Sequence, residues 1–171
     1  MSVYVALLRA VNVGGTGAIA MSDLKALCER LGFEDVRTVL QSGNVVFRSG
    51  RPKSSARALL ESTLVDKMGA PVMVVLRSPA ELRSTLRNNP FPKAETNRVI
   101  VFFSEDAPEP GALEGLTIPG NEEVRLRGRE IFVHYPDGQG RSKLKLPNAK
   151  TATGRNLNTV AKLIETADEV G

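Results

Sequence analysis

The sequence predicts an α/β fold of the α+β plait type, with two fused ferredoxin-like split β-α-β units packed as one compact body. Three observations support this prediction. The chain begins with a buried strand, its first half follows the order strand, helix, strand, strand, helix, strand, and its second half repeats most of that order. With 171 residues, of which 42% are hydrophobic and 25% charged, the chain is long enough to bury a sizeable core.

The elements of the first unit follow from its apolar patterns. Residues 3–11 are almost continuously apolar, and we interpret them as a central strand rather than a signal peptide, because Arg9 interrupts them and no basic leader precedes them. A glycine-rich loop and a helix follow, and helical spacing of the apolar residues places Cys28 on the core-facing side of that helix. Two strands joined by the turn sequence QSGN predict a hairpin. A second helix and a fourth strand complete the unit.

The second unit begins with a helix that has strong start signals. Ser78 is a capping residue, Pro79 occupies the first position, and Glu81 follows three residues after the cap. A strand, a proline-rich acidic segment with one helical turn, and a hairpin come next. The last helix is predicted from about Arg155 to Asp168, so this unit lacks the final strand of the first.

These elements place the boundary between the units near Ser78. The predicted domains are residues 1–78, the first ferredoxin-like unit, and residues 79–171, the second ferredoxin-like unit with the C-terminal helix. The halves share no residue-level repeat, so a duplication is inferred from the order of elements alone. No flexible linker separates them, which is the reason to expect one compact body.

Charge is unevenly distributed along the chain. The formal net charge is +4, but residues 104–123 contain six acids and no Lys or Arg, whereas residues 125–155 contain eight bases and two acids. The two segments either neutralise each other as solvated surface or provide a basic patch for a phosphate-bearing partner. A single cysteine excludes an internal disulfide framework and is compatible with a cytoplasmic location. No apolar run is long enough to span a bilayer, so no membrane partner is expected.

The predicted topology brings two polar loops to one rim. In the split unit the first and second strands run parallel, and the third runs antiparallel between them, so the end of the first strand lies at the same edge as the hairpin. The residues that meet there are Asn12, Gly14 and Gly15 from the first loop and Gln41, Ser42 and Asn44 from the second. They are either turn residues that satisfy their own backbones or the wall of a ligand site.

Two arginines occupy predicted positions that are unfavourable for a cation: an apolar strand and the N-terminus of a helix. Arg9 interrupts the apolar first strand, where a charge is costly unless paired, so it is either a salt-bridge or surface residue or a ligand for an anion. Arg155 falls in the predicted first turn of the last helix, opposite its apolar stripe, and no acid follows before Glu165. It is either solvent-exposed or binds an anion with the helix N–H groups, Asn156 and upstream bases such as Lys143.

Several more specific motifs, for dinucleotide binding, metal binding and catalysis, are not supported by the sequence. Residues 15–20 match a dinucleotide-binding pattern, but the helix begins too late and the next strand leads into Gln41 instead of an acid. The chain has one histidine and one cysteine, so no zinc or iron site is expected and no cofactor is predicted. The histidine, His134, is interpreted as a packed residue beside aromatic side chains. No general base is evident, so neither a catalytic residue nor a reaction is assigned.

Five segments in order identify a resemblance: LLRAVNVGG, LGFEDVRTVLQSGNVVF, NPF, GRSKL and TGRNLNTVAKL. The chain resembles the bacterial domain-of-unknown-function family 1697 over nearly its whole length. The resemblance implies two fused ferredoxin-like units and no established activity. Its pattern covers Arg9, Asn12, Gly14, Gly15, Gln41, Ser42, Gly43, Asn44, Thr153, Arg155 and Asn156. The chain departs from the pattern at residues 16–18, where lysines are usual, and at Leu157, where tryptophan is usual; both departures weaken the case for phosphate binding by the loop and for base stacking.

Three functions are compatible with these patterns. The first is binding of a small anionic or phosphorylated ligand, with Arg9, Asn12 and the two loops as one wall and Arg155 and Asn156 adding charge and amide contacts. The second is RNA binding by a plait protein through a sheet face, against which stands an aromatic content of 5%. The third is a non-catalytic interaction module in which the polar loops only close the fold. The oligomeric state does not follow from the sequence.

Overall fold

The computed structural model describes residues 1–12 and 17–171. In this part of the chain it contains two four-stranded sheets and four α-helices, which confirms the predicted α/β class. Contacts within the chain divide it into two units, Met1–Leu82 with Lys162–Gly171, and Arg83–Ala161. The division into domains between residues 78 and 79 stays a prediction.

The first unit has the complete split β-α-β arrangement. Its elements are β1 (Ser2–Leu8), α1 (Met21–Arg30), β2 (Glu34–Val39), β3 (Asn44–Ser49), α2 (Lys53–Met68) and β4 (Val74–Arg77). The strands lie in the order β2-β3-β1-β4, and every neighbouring pair is antiparallel. β1 and β2 therefore run parallel on either side of β3, as the order of elements predicts.

The first unit has a continuous apolar core. α1 buries three residues at helical spacing, and Cys28 is one of them, as predicted. Phe33 and Phe47 stack in the same core with ring centroids 4.1 Å apart. All residues from Tyr4 to Leu8 in β1 are buried, so both faces of this central strand are covered. This burial accounts for the apolar residues from Val3 to Leu8.

α3 (Pro79–Arg87) begins with the predicted capping box. The N–H of Glu81 donates to Ser78 Oγ over 3.1 Å, and the N–H of Ser78 donates to Glu81 Oε1 over 2.8 Å. The two side chains thus satisfy two backbone donors that the helix leaves without internal partners. Across the described residues, no helix combines the length and the apolar character that crossing a membrane requires.

The second unit contains a sheet with the same connectivity. Its strands are β5 (Val99–Ser104), β6 (Glu123–Arg127), β7 (Glu130–His134) and β8 (Ala152–Asn156), and α4 (Leu157–Val170) follows. They lie in the order β6-β7-β5-β8 with antiparallel neighbours, which repeats the order of the first sheet. The helical turn expected between β5 and β6 is absent, because residues 105–122 form bends and turns.

The predicted start of the last helix is wrong. Residues 152–156 form β8, in which Arg155 pairs with Val101 of β5, and α4 begins at Leu157. Asn156 accepts the N–H of Thr159 through Oδ1 over 2.8 Å and so caps the helix. The second unit therefore has the final strand that the sequence analysis left out, and the cation at the helix start belongs to a strand.

Candidate ligand-binding site

The end of β1 and the β2–β3 hairpin are joined by hydrogen bonds. The N–H of Leu8 donates to the carbonyl of Gly43 over 2.9 Å. Asn12 Nδ2 donates to the carbonyl of Gln41, also over 2.9 Å. The two polar loops that the strand order brings to one edge are therefore in direct contact. We call the described residues 9–12 and 40–44 the rim.

Asn12 is fully engaged in holding its own loop. Its Nδ2 also donates to the carbonyl of Ile19, its Oδ1 accepts the N–H of Ile19, and its backbone N–H donates to the carbonyl of Gly17. A side chain with this many backbone partners positions the loop instead of offering a free amide to a ligand. Gly14 and Gly15, the other predicted site residues of this loop, lie outside the described residues.

Asn44 and Ser42 serve the hairpin in the same way. Asn44 is completely buried, and its Nδ2 donates to the carbonyl of Val39 over 2.7 Å and to Ser42 Oγ over 2.9 Å. These contacts hold the turn closed from inside. Gln41 is exposed, so its side chain is the rim amide best placed to reach a ligand.

Replacing the buried amide tests this structural role. Asn44→Ala is expected to lower the free energy of unfolding by about 2 kcal/mol, because it leaves the carbonyl of Val39 buried without this donor. Urea denaturation measures the loss. Asn158→Ala is the control: Asn158 is exposed and accepts the Thr96 hydroxyl, so a cost within about 0.5 kcal/mol is expected. Equal losses in both variants would show that burial of Asn44 is unimportant.

Three non-glycine residues of the rim have a left-handed backbone. Ala10, Asn12 and Leu40 have φ values of 57°, 55° and 60°. This conformation costs roughly 1–2 kcal/mol for an alanine or a leucine and less for asparagine. Leu40 is also 57% exposed, so burial does not offset its cost. Such backbone strain clusters at ligand sites in folded proteins.

Arg9 lies one residue beyond the strand in which it was predicted. β1 ends at Leu8, and the N–H of Arg9 donates to the carbonyl of Met73 over 2.9 Å. Its side chain is half-buried, at the start of the loop that contains Asn12. The predicted position of Arg9 within the strand is therefore wrong, because β1 ends before Arg9.

The predicted site residues of the second unit occupy a different environment. Arg155 is 7% exposed, and its Nη1 donates to Thr153 Oγ1 over 2.8 Å and to the carbonyl of Gly154 over 2.9 Å. Burial lowers the pKa of Arg155 to about 10, so the group is still a cation at neutral pH. The expected position opposite an apolar helical stripe is wrong because Arg155 lies in β8. Lys143 is exposed, and Asn156 caps α4.

The acidic and basic segments of the second unit contact each other. Ser142 Oγ donates to Glu122 Oε1 over 3.0 Å, and a guanidinium N–H of Arg129 donates to the carbonyl of Glu105. Arg125 and Glu123 form an ion pair of 3.6 Å on β6. Of these three contacts, the Arg125–Glu123 pair is the one that joins opposite charges.

A cavity of about 730 Å³ in the second unit was not anticipated from the sequence. It lies between Phe102, Tyr135 and the coil of residues 139–152. The signal that could have indicated it is the alternation of Lys and Leu from Lys143 to Leu146, which is typical of an extended segment with one covered side. The fully buried Arg77 was also missed, because a lone arginine at a strand end gives no sequence signal.

Cys28 and His134, the cysteine and the histidine of the chain, both pack against neighbouring side chains. Cys28 is buried, and burial with the nearby charge of Glu29 raises the pKa of its thiol to about 12. His134 packs against Phe91 with ring centroids 5.6 Å apart, in line with its interpretation as a packed residue. No group of three or more metal-ligating side chains occurs within residues 1–12 and 17–171.

Comparisons with known proteins agree with this architecture. A family model described as "Protein of unknown function (DUF1697)" matches residues 1–132. No curated protein matches the chain. A solved structure described as that of the conserved bacterial protein SP0830 from Streptococcus pneumoniae is similar, with a TM-score of 0.76 and 22% identity over 97% of this chain and 98% of that one. A likeness at this identity establishes a shared fold.

Proposed function

Because the chain belongs to the DUF1697 family, whose members are described as proteins of unknown function, we propose a function from the rim itself. The protein binds a small anionic ligand, phosphorylated or carboxylate-bearing, at the edge where the β1 end meets the β2–β3 hairpin. The observation that supports this proposal is a cation, Arg9, at the start of a strained loop that the Asn12–Gln41 hydrogen bond joins to the strained β2–β3 hairpin.

The polar rim residues have three roles in this proposal: charge, amide contact and support of the loops. Arg9 supplies the charge, since a guanidinium matches a carboxylate or phosphate with paired N–H donors. Gln41, which is exposed, supplies an amide contact. Asn12, Ser42 and Asn44 keep the loops in place through the hydrogen bonds that they already make. Ligand geometry thus depends on residues that never touch the ligand.

The other predicted ligand residues are Gly14 and Gly15, as backbone N–H donors, and Lys143, Arg155 and Asn156 of the second unit, as charge and amide contacts. These contributions stay predictions, and the proposal for the rim does not depend on them. We further propose that the protein works in the cytoplasm and that the repeated strand order of the two sheets reflects a duplication.

A thermal-shift screen tests the proposal with named probes: inorganic phosphate, AMP, glucose 6-phosphate, citrate and a short RNA. A probe at about a hundred times its dissociation constant should add roughly 2.7 kcal/mol, which raises Tm by several degrees. Arg9→Gln is expected to weaken binding of the active probe by about tenfold to a hundredfold, because it removes a charge-assisted hydrogen bond.

The matched control is Arg30→Gln, which removes an exposed arginine from the end of α1. It should bind the probe as the wild type does. If Arg9→Gln also binds with unchanged affinity, the rim is not the site. A screen without any stabilising anion would favour the interaction module, in which rim variants lose stability and bind nothing.

RNA binding through stacked bases is not favoured by the geometry. The chain has six phenylalanines and two tyrosines. Seven of these side chains are buried and Phe102 is half-buried, so no fully exposed ring offers a platform for a base. If the short RNA still stabilises the protein at high salt, RNA binding would be favoured over binding of a small anion, because contacts to phosphates alone weaken as salt rises.

A further inference from the structure

The second unit covers one face of its sheet with coil, where the first unit uses a helix. α2 connects β3 to β4 in the first unit, whereas residues 135–151 connect β7 to β8 without an α-helix. The apolar cluster of Ile100, Ile131, Val133 and Tyr135 is instead contacted by coil side chains. These include Leu113, Leu144 and Leu146. An irregular segment packs less continuously than a helix. The cavity of about 730 Å³ lies between this sheet and residues 139–152.

The wall of the cavity is apolar and partly aromatic. Phe102 and Tyr135 line it from the sheet side, and Leu144 and Leu146 line it from the coil side. Gly154 makes room for the ring of Phe102, since a Cβ at that position would lie 2.9 Å from Phe102 Cε1. The volume falls within the range of about 300–1,000 Å³ that is usual for small-molecule sites.

The charges at the cavity have one sign. Lys145 and Lys150 line it and are both exposed, and its described lining includes no carboxylate. Glu122 accepts the hydroxyl of Ser142 and lines a second cavity, which shares Ser142 and Tyr135 with this one. An apolar wall beside two ammonium groups favours a molecule with an apolar body and an acidic group.

Asn148 adds a polar feature to the same lining. Its Nδ2 donates to Ser104 Oγ over 3.2 Å, whereas its Oδ1 is buried and accepts no hydrogen bond from the described residues. A buried carbonyl oxygen without a donor is energetically unfavourable. A ligand whose body carries an O–H or N–H group could relieve this cost after a small shift of the coil.

We propose that this cavity binds a small amphipathic organic anion, with an aromatic or alkyl body against Phe102, Tyr135, Leu144 and Leu146. Its carboxylate or sulfonate group pairs with Lys145 and Lys150. The site is distinct from the rim, since all of its lining residues belong to the second unit. The proposal for this cavity does not depend on the function proposed for the rim.

The probe for the test is 1-anilinonaphthalene-8-sulfonate, an aromatic sulfonate that fluoresces in apolar surroundings. We expect saturable binding to the full chain at one site, with displacement by octanoate. The double variant Lys145→Gln/Lys150→Gln should bind the dye roughly three- to tenfold more weakly, because two exposed ion pairs are lost. Affinity should also fall as ionic strength rises.

Matched controls and a local probe assign the binding to this cavity. Lys25→Gln/Lys162→Gln removes two exposed lysines of the first unit and should leave the dye affinity unchanged. The chain has two tyrosines, Tyr4 in the first unit and Tyr135 at the cavity. With fluorotyrosine labelling, the ¹⁹F signal of Tyr135 should move on titration and that of Tyr4 should not.

Three outcomes would overturn the proposal. The dye does not bind in a saturable way, the cavity variant binds it as tightly as the wild type, or the signal of Tyr4 moves while that of Tyr135 stays still. Urea denaturation of both double variants verifies that the fold is intact. Loss of stability is not expected, because all four lysines are exposed.

Discussion

Gly43→Ala is expected to lower the free energy of unfolding by about 3 kcal/mol. Gly43 lies in the β2–β3 hairpin with a φ of 84°, and a Cβ there would lie 2.4 Å from Val11 Cγ2 and 3.0 Å from Leu8 Cβ. Both neighbours are buried, so they have little room to move. The substitution therefore adds a steric clash to the strain of a left-handed alanine.

The control for this substitution is Gly32→Ala. Gly32 has a similar φ of 88°, but no atom lies within 4 Å of the position its Cβ would take. Its cost should be about 1 kcal/mol, the strain alone. Urea denaturation of the two variants separates the clash from the strain. Equal costs would mean that Leu8 and Val11 move aside easily, so the hairpin is not tightly packed against the end of β1, which would also weaken the case for the proposed rim site.

Native Cys28 is expected to react with iodoacetamide about a thousandfold more slowly than the same thiol in denatured protein at pH 8. The reactive species is the thiolate, and burial raises the pKa of Cys28 from 9.0 to about 12. The side chain is also fully buried, so reaction requires the chain to open. Mass spectrometry of timed samples with and without guanidinium measures the ratio.

Two further measurements connect this thiol to folding. Because the folded pKa of Cys28 lies above the unfolded pKa of 9.0, its contribution to stability is present below pH 9 and is lost as the pH rises toward 12. The loss is up to about 1.4 kcal/mol per pH unit, and Cys28→Ala should remove it. Gly43→Ala should also speed alkylation, since it makes opening easier. A native thiol that reacts nearly as fast as the denatured one would restore the case for a reactive cysteine.

The first unit could be predicted almost completely from the sequence. β1, β3 and β4 carry apolar runs, β2 has two buried valines among polar residues, and the helices have apolar residues at helical spacing. The turn QSGN and the capping box at Ser78 and Glu81 depend only on neighbouring residues. Local chemistry and the final fold agree in this unit, so short-range patterns were sufficient.

The second unit could not be predicted as well, because β8 has no strand pattern. Residues 152–156 read ATGRN and contain no large apolar side chain. The strand forms because β5 offers an edge for hydrogen bonding, and Gly154 fits beneath Phe102. Arg155 is buried because of that strand pairing. No local pattern of charge or hydropathy indicates this burial.

The candidate sites divide in the same way. Strand order was enough to bring the loop of Asn12 to that of Gln41, because the connectivity of the split unit determines which strand ends share an edge. Two further features depend on packing between residues distant in the chain. One is which side-chain amides already bond to the backbone, and the other is the position of the cavity beside Lys145 and Lys150. The sequence by itself determined the elements and the meeting of the loops. The tertiary structure decided burial and hydrogen-bond partners, since both depend on atoms that no local pattern brings together.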